Sequence, residues 1–383
     1  MQSRRPIAPP KPDRLKQDSH ELAQTRLPDQ ARKGRGAVSN RPGRFEPGDR
    51  PREDDGWTGD PDDEELPPLA TTVTIDASRS AIAWNESPDV GFDRSVNPYR
   101  GCEHGCVYCF ARPTHAYLGL SPGLDFETKL FAKPEAPRLL AEELSKPGYK
   151  PAVLGLGTNT DPYQPIERRM GITRGLLEVL SAFGHPVTIV TKSALVLRDL
   201  DILAGMAERG LANVTLSVTT LDRDLARVME PRAATPGRRL EAIRKLAEAG
   251  VPVGVLAAPM IPALNDAELE AILEAAVEAG ATTAGYVLLR LPLEIKDLFA
   301  EWLDAHAPGR SSHVLNLLRQ TRRGGLYVDK FGERMRGVGP YAELLSRRFQ
   351  LAVRRLGIER RGTRLRTDLF RVPPKRGDQL ALL

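Results

Sequence analysis

The chain has 383 residues, enough for one large catalytic domain with tails or for two ordinary domains. Its apolar fraction is 41%, and no run approaches the roughly 18–20 apolar residues of a membrane span. No apolar stretch follows Met1-Gln2-Ser3-Arg4-Arg5-Pro6, so no secretory signal is expected and a cytoplasmic location is the default. A net charge of +5 and a pI of about 9.1 permit a nucleic-acid partner without requiring one.

Residues 1–70 are rich in Pro, Arg, Asp and Gly. A basic stretch up to Arg52 precedes Glu53-Asp54-Asp55 and Asp62-Asp63-Glu64-Glu65. Such a segment buries too little apolar surface to offset chain entropy, and a disordered tail is expected. A core follows over 71–310, and a basic C-terminal extension, helical in part, over 311–383.

Within the core a short strand is expected around Arg94–Pro98, directly before the cysteines. Strand 151–156 leads to a helix over Pro165–Phe183 that stops at Gly184. Strand 187–190 leads to helix Asp199–Arg209, closed by Gly210. Strand Asn213–Val218 leads to a helix with Thr235 at its cap, Pro236 in its first turn and Gly250 past its end. Strand Val251–Leu256 precedes a helix with Asn265 at the cap, Glu268 three residues on, and Gly280 closing it. Strand Gly285–Leu289 comes last. Side-chain caps at the start and glycine at the end are the ordinary helix signals. Strands alternating with helices imply a parallel sheet with right-handed crossovers. About six βα units fit an α/β fold of partial (β/α)6 TIM-like barrel type, with a doubly wound open sheet as the alternative. Strand Asn213–Val218 places Thr215, Ser217 and Thr219 on one face and Val214, Leu216 and Val218 on the other. A polar inner face suits a barrel with a polar ligand in its lumen, although small hydroxyls also simply pack.

The three cysteines, Cys102, Cys106 and Cys109, are the chain's whole complement. Crowded into eight residues, they are no disulfide framework and point to metal or redox chemistry. Three thiolates can hold three corners of a [4Fe–4S] cube and leave one iron open to a small molecule. Gly101 and Gly105 permit the positive φ of a tight loop, and backbone N–H groups at the sulfurs would tune the potential. A Cys3His zinc site using His104 or His115 is the competing reading. A cluster that senses or relays electrons without further chemistry is a third.

Cys102-x3-Cys106-x-Tyr108-Cys109, with an aromatic before the last cysteine, resembles the defining motif of the radical-SAM superfamily. Asn97-Pro98-Tyr99-Arg100-Gly101-Cys102, Thr160-Asp161-Pro162-Tyr163-Gln164-Pro165 and Ala258-Pro259-Met260-Ile261-Pro262 are similar to the subgroup related to spore photoproduct lyase. The resemblance implies a [4Fe–4S] cluster and S-adenosylmethionine (SAM) as cofactors, and an electron donor such as flavodoxin or ferredoxin. It implies reductive cleavage of SAM to a 5′-deoxyadenosyl radical that abstracts hydrogen from a substrate, with nucleic acid one candidate.

The cofactor is expected at the carboxyl ends of the strands. There Tyr108, Gly157, Thr158, Asn159, Lys192, Ser217, Arg232 and Arg239 are the candidates to hold it. Lys192, Arg232 or Arg239 would meet the SAM carboxylate, and Ser217 its ribose. Gly155 and Gly157 stand where the family has a Gly-Gly-Glu-type motif, from which Thr158 and Asn159 depart. Asp161 is expected to order the second loop or cap the following helix. Spore photoproduct lyase uses a further cysteine as hydrogen donor, absent here; Tyr99 and Tyr163 are the candidate substitutes. The arginine pairs 347–348, 354–355 and 360–361 suggest a phosphate-binding helix or an amphipathic helix with a solvated basic face.

Overall fold

A computed structural model describes residues 26–27, 29–46, 52–53, 69–358 and 364–374. Apart from the two-residue strands Arg26–Leu27 and Arg52–Glu53, which pair antiparallel with each other, the strands in chain order are β1 (Thr72–Ile75), β2 (Ile82–Trp84), β3 (Arg94–Val96), β4 (Tyr99–Arg100), β5 (Lys129–Ala132), β6 (Leu154–Leu156), β7 (Val187–Thr191), β8 (Ala212–Ser217), β9 (Val253–Met260) and β10 (Thr283–Leu288). The longer helices are α1 (Ala136–Leu144), α2 (Ile172–Ala182), α3 (Leu200–Glu208), α4 (Pro236–Glu248), α5 (Leu269–Glu278), α6 (Ile295–His306), α7 (Ser311–Thr321) and α8 (Pro340–Leu356).

The main sheet has the order β10-β9-β8-β7-β6-β3-β2. Strands β3 and β6 to β10 are parallel, and β2 pairs antiparallel with β3. The parallel strands follow one another without a reversal of order. Right-handed crossovers then put every connecting helix on the same face, whereas a doubly wound sheet reverses its order and covers both faces. Six parallel strands so arranged are the partial (β/α)6 barrel. A second sheet, β1-β5-β4, lies beside the cysteine loop.

Alternation along the strands decides what each face buries. On β7 and β8, Val187, Ile189, Val214 and Leu216 are fully buried, while Thr188, Thr215 and Val190 are partly open. The buried set packs with Leu176, Leu180, Leu203, Met206 and Ile243 from α2, α3 and α4. Each such side chain contributes about 1.5–3 kcal/mol. The hydroxyl face of β8 is turned to the lumen side, as its pattern implied.

Three local expectations differ. The helix over 165–183 is interrupted at Gly171, whose φ of +66° ends one short helical turn before α2 begins. The capping box before α5 does not form. The Asn265 side chain instead serves Ile261 N, Thr219 O and Pro259 O, and Glu268 accepts from Thr220 and Leu221 N. Within the stretch expected to be a disordered tail, residues 29–46 are described and Arg35–Ser39 are buried; most of the remainder lies outside the described residues.

The extension after β10 folds back on the barrel. Helix α8 buries Ala342, Leu345, Phe349, Ala352 and Val353, and Arg348 pairs with Glu270 of α5. Arg347, Arg354 and Arg355 remain on its exposed face, and Arg360–Arg361 lie outside the described residues. The loop before α8 also crosses the seam between the two sheet edges. Leu288 N of β10 donates to Met335 O (2.9 Å). Gly332 N and Arg334 Nε donate to Asp89 in the β2–β3 connection (2.7 and 2.5 Å). Among the described residues no helix is long and apolar enough to cross a membrane.

Candidate cluster and cofactor site

The cysteine loop leaves the carboxyl end of β3 by way of β4 and turns at Gly101 (φ +76°) and Gly105 (φ +67°). A Cβ at Gly101 would lie 2.9 Å from Phe126 O, and one at Gly105 2.8 Å from the Glu127 carboxylate. Both glycines are therefore required by shape as well as by backbone angle. The loop is pinned from behind by a pair that sequence reasoning did not find. Arg112, wholly buried, donates to Gly105 O and Cys106 O (3.0 and 2.9 Å). It also donates to Pro122 O and Gly123 O (3.0 and 2.9 Å) and pairs with Glu127 (2.5 Å). Glu127 in turn accepts from Gly36 N and Ala37 N (3.0 and 2.8 Å). Neither residue stands in a recognisable spacing; only the fold brings them together.

Cys102 and Cys106 are buried and Cys109 is partly open. Burial pushes all three thiols up, Cys102 and Cys106 farthest. The backbone N–H of Asp161 on Cys102 and that of Ala111 on Cys109 act in the opposite direction. A buried thiolate needs a cation to offset its desolvation, and iron is such a cation. Three thiols from one loop, backbone donors at two sulfurs and no other cysteine in the chain fit three corners of a [4Fe–4S] cube. Of the histidines that a zinc site would recruit, His104 is held by Asp161 (3.3 Å), and His115 gives its Nε2–H to Lys129 O (3.0 Å).

Facing the loop, the ends of β7, β8 and β9 carry one polar network. Lys192 Nζ donates to Ser217 Oγ (2.5 Å) and lies 3.6 Å from Glu230. Ser217 donates to Ala258 O (3.1 Å), and Thr219 Oγ1, 2.6 Å from Glu230, also lies 2.9 Å from that oxygen. Tyr108 OH meets Glu230 and Thr219, and its ring stands 5.8 Å from Lys192 Nζ. Burial draws the Lys192 ammonium down to about 8 although the Cys106 charge raises it. Burial also pushes Glu230 up, against the pull of Arg239. Thus Tyr108, Lys192, Ser217 and Arg239 converge beside Cys106, around a carboxylate, Glu230, that no motif marked.

Arg239 is not free to meet a ligand. Each of its three nitrogens donates to the protein, to Ala234 O, Ser217 O and Glu230, and the side chain is buried. Arg232 lies apart, on the outer side of the loop, paired with Glu103 (3.2 Å). Gly157 (φ +83°), Thr158 and Asn159 line the neighbouring turn after β6, where Asn97 Oδ1 receives Thr158 Oγ1 and Asn159 N (3.4 and 3.1 Å). Asp161 orders that turn, accepting from Tyr163 N, Thr191 Oγ1 and Lys192 N (2.9, 2.7 and 2.8 Å). Burial opposes its charge, yet His104 and these donors hold its carboxyl below the ordinary range. Tyr99 and Tyr163 are both fully buried. Tyr99 donates to Glu167, Tyr163 packs by Arg198 (5.9 Å), and Arg198 is tied to Glu167 and Asp199 (2.7 and 2.8 Å). Tyr99 is thereby committed to a structural ion-pair cluster, whereas the Tyr163 hydroxyl is buried with no hydrogen-bond partner among the described residues.

The Radical SAM superfamily profile matches residues 96–276, from the last residue of β3 into α5. An uncharacterised protein of Mycobacterium tuberculosis is 37% identical over 243 residues, covering 62% of this chain and 72% of that protein. One of Acidianus two-tailed virus is 31% identical over 194 residues, covering 48% and 62%. Among solved structures, spore photoproduct lyase complexed with dinucleoside spore photoproduct superposes with a TM-score of 0.53 at 15% identity, over 74% of this chain and 79% of that one. At that identity the likeness is one of fold.

Proposed function

The chain belongs to the radical SAM superfamily, whose cofactors are a [4Fe–4S] cluster and SAM, and from that premise we propose that it is a hydrogen-abstracting enzyme. When bound, the cluster supplies the electron that splits SAM into methionine and a 5′-deoxyadenosyl radical. The observation that carries the reading is the three-thiol loop set against the Lys192–Ser217–Glu230 network at the same end of the sheet.

In this reading Cys102, Cys106 and Cys109 hold three irons. Arg112 and Glu127 fix the loop that presents them. Lys192 is the cation for the SAM carboxylate: its ammonium stands 3.6 Å from Glu230 and donates to Ser217 and Ala258 O, whereas every nitrogen of Arg239 already donates to the protein. Ser217 supplies a hydroxyl for the ribose. The backbone at Gly157–Asn159 approaches the methionyl end, because Gly157 has no side chain to keep it away. Glu230 holds Tyr108 and Arg239 in place. Nucleic acid is the first substrate class to test, since the solved structure of like fold holds a dinucleoside photoproduct. The electron comes from a small carrier such as flavodoxin or ferredoxin.

Anaerobic reconstitution tests the reading. It should give about four irons and four sulfides per chain, a brown chromophore, and 5′-deoxyadenosine on adding SAM and dithionite. Changing any of the three cysteines to alanine should abolish the last two. Zinc without colour would overturn the assignment in favour of a binding module. A complete cluster with no SAM cleavage across DNA, RNA and peptide would leave an electron relay.

A further inference from the structure

Buried cations are normally paired, because an unpaired one loses its hydration without recompense. Arg322, beside the carboxyl end of β10, is such a buried cation, and Arg290 next to it is partly open to solvent. Arg290, two residues past β10, makes no hydrogen bond or ion pair with any described residue; its guanidinium carbon rests 4.1 Å above the ring of Phe110. The charges around it are those of Tyr327, Arg334, Cys109 and Asp89. Asp89, the one carboxylate among them, is already taken by Gly332 N and Arg334 (2.7 and 2.5 Å). Arg322 stands next to it, fully buried and facing Arg290. It donates only to the carbonyls of Leu288, Leu289 and Glu333 (3.1, 2.7 and 2.9 Å), and its Nε has no partner. Asp89 is thus shared between Arg334, which it pairs, and Arg290, which it only faces.

We propose that Arg290 is the seat for an oxyanion of the substrate, a phosphate or a carboxylate, held at the mouth of the barrel beside the exposed corner of the cluster loop. The inference rests on the radical-SAM reading and adds the chemical class of the substrate. Position supports it. Phe110 directly follows Cys109, the least buried of the three cysteines, and its ring is 44% exposed. A substrate that reaches the cofactor through this opening therefore passes Arg290. The fork can grip a planar or tetrahedral oxyanion with two parallel hydrogen bonds. Phe110 fixes the guanidinium plane from below and offers an apolar surface to the rest of the ligand. Neighbouring Arg322 and Arg334 add attraction for an anion that no described side chain supplies.

The test uses the reconstituted full chain, with cluster colour and 5′-deoxyadenosine formation recorded first on the same sample. Those two readouts decide the radical-SAM reading by themselves. Inorganic phosphate and acetate are then titrated separately, followed by calorimetry and, with the cluster reduced, by relaxation of the phosphorus or methyl NMR signal. The expected result is saturable binding of at least one probe with enhanced relaxation, persisting in saturating SAM. Arg290→Gln should weaken that binding about tenfold, roughly 1.4 kcal/mol, while Arg238→Gln on exposed α4 leaves it unchanged. Phosphate alone would identify a phosphorylated substrate, and acetate alone a carboxylated one. Binding of neither probe would overturn the proposal, as would displacement of the probe by SAM, which would give Arg290 to the SAM carboxylate.

Discussion

Glu230 and Lys192 show how far one enclosed carboxylate organises the site. Glu230 receives Tyr108, Thr219 and Arg239, and Lys192 lies beyond hydrogen-bond range of it at 3.6 Å. Glu230→Ala should leave Arg239 buried without its partner and cost about 3–5 kcal/mol of stability, seen as a lower urea midpoint. His185 offers a titration with a defined sign. Its Nδ1–H donates to Pro186 O, its Nε2 accepts from Tyr149 OH (3.0 and 2.8 Å), and burial lowers its pKa from 6.5 to about 4. The unfolded chain therefore takes up a proton between those values while the folded chain does not. Stability is full above 6.5 and falls as pH drops toward 4, by on the order of 3 kcal/mol. A His185→Asn variant should lose less stability across that window in thermal melts; an unchanged acid slope would refute the assignment.

The elements around the cysteine loop are held by close backbone approach. A Cβ on Gly157 would lie 1.9 Å from Val190 O, at a φ of +83°. Gly157→Ala should part β6 from β7 at their ends and cost about 1–3 kcal/mol, with weaker SAM binding. A Cβ on Gly36 would lie 1.8 Å from Gly105 O, so the 29–46 segment fits the loop only as glycine there. Gly36→Ala should lift this strap. Faster proteolysis near residue 36 and faster loss of cluster colour in air would report it, with the catalytic residues intact. The strap was unreadable beforehand because composition averages over the whole tail. Five residues that insert among Glu127 and Gly105 do not change its Pro- and Arg-rich character. The α5 cap misled for a similar reason. Asn265 and Glu268 have the right spacing, but buried carbonyls and N–H groups from the β8 and β9 ends compete for them.

At the scale of the molecule, the partial barrel is completed by chain from beyond its last strand. The 325–336 loop ties β10 to the β2–β3 connection through Met335, Gly332 and Arg334. Arg334 and Asp89 are largely enclosed, so their coupling should exceed that of a surface pair, about 1 kcal/mol or more in a double-mutant cycle. Faster amide exchange in β2 and β10, with β7 and β8 unaffected, should accompany Asp89→Asn. Helix α8 belongs to the same closure: Phe349 lies against Tyr286 of β10 (4.8 Å between centroids). Its basic face is split between pairs with α5, such as Arg348–Glu270 and Arg355–Glu274, and exposed arginines.

The sequence alone determined the order of the six parallel strands and of the helices after four of them, the cysteine loop and the polar face of β8, but not the second sheet, β2 or α1. These are local properties, written in spacing, caps and alternation. It also named Lys192 and Ser217, because strand ends in such folds face the site, and Tyr108, because it precedes the last cysteine of the motif. Tertiary structure decided which charges remain available. Arg239 is engaged by Glu230 and two carbonyls, Arg232 by Glu103, and Tyr99 by Glu167. Arg290 is left without a hydrogen-bond or ion-pair partner among the described residues. Except at Arg239, whose partners Ala234 and Glu230 lie five and nine residues away, these distinctions depend on contacts between residues far apart in the chain, and no local pattern carries that information.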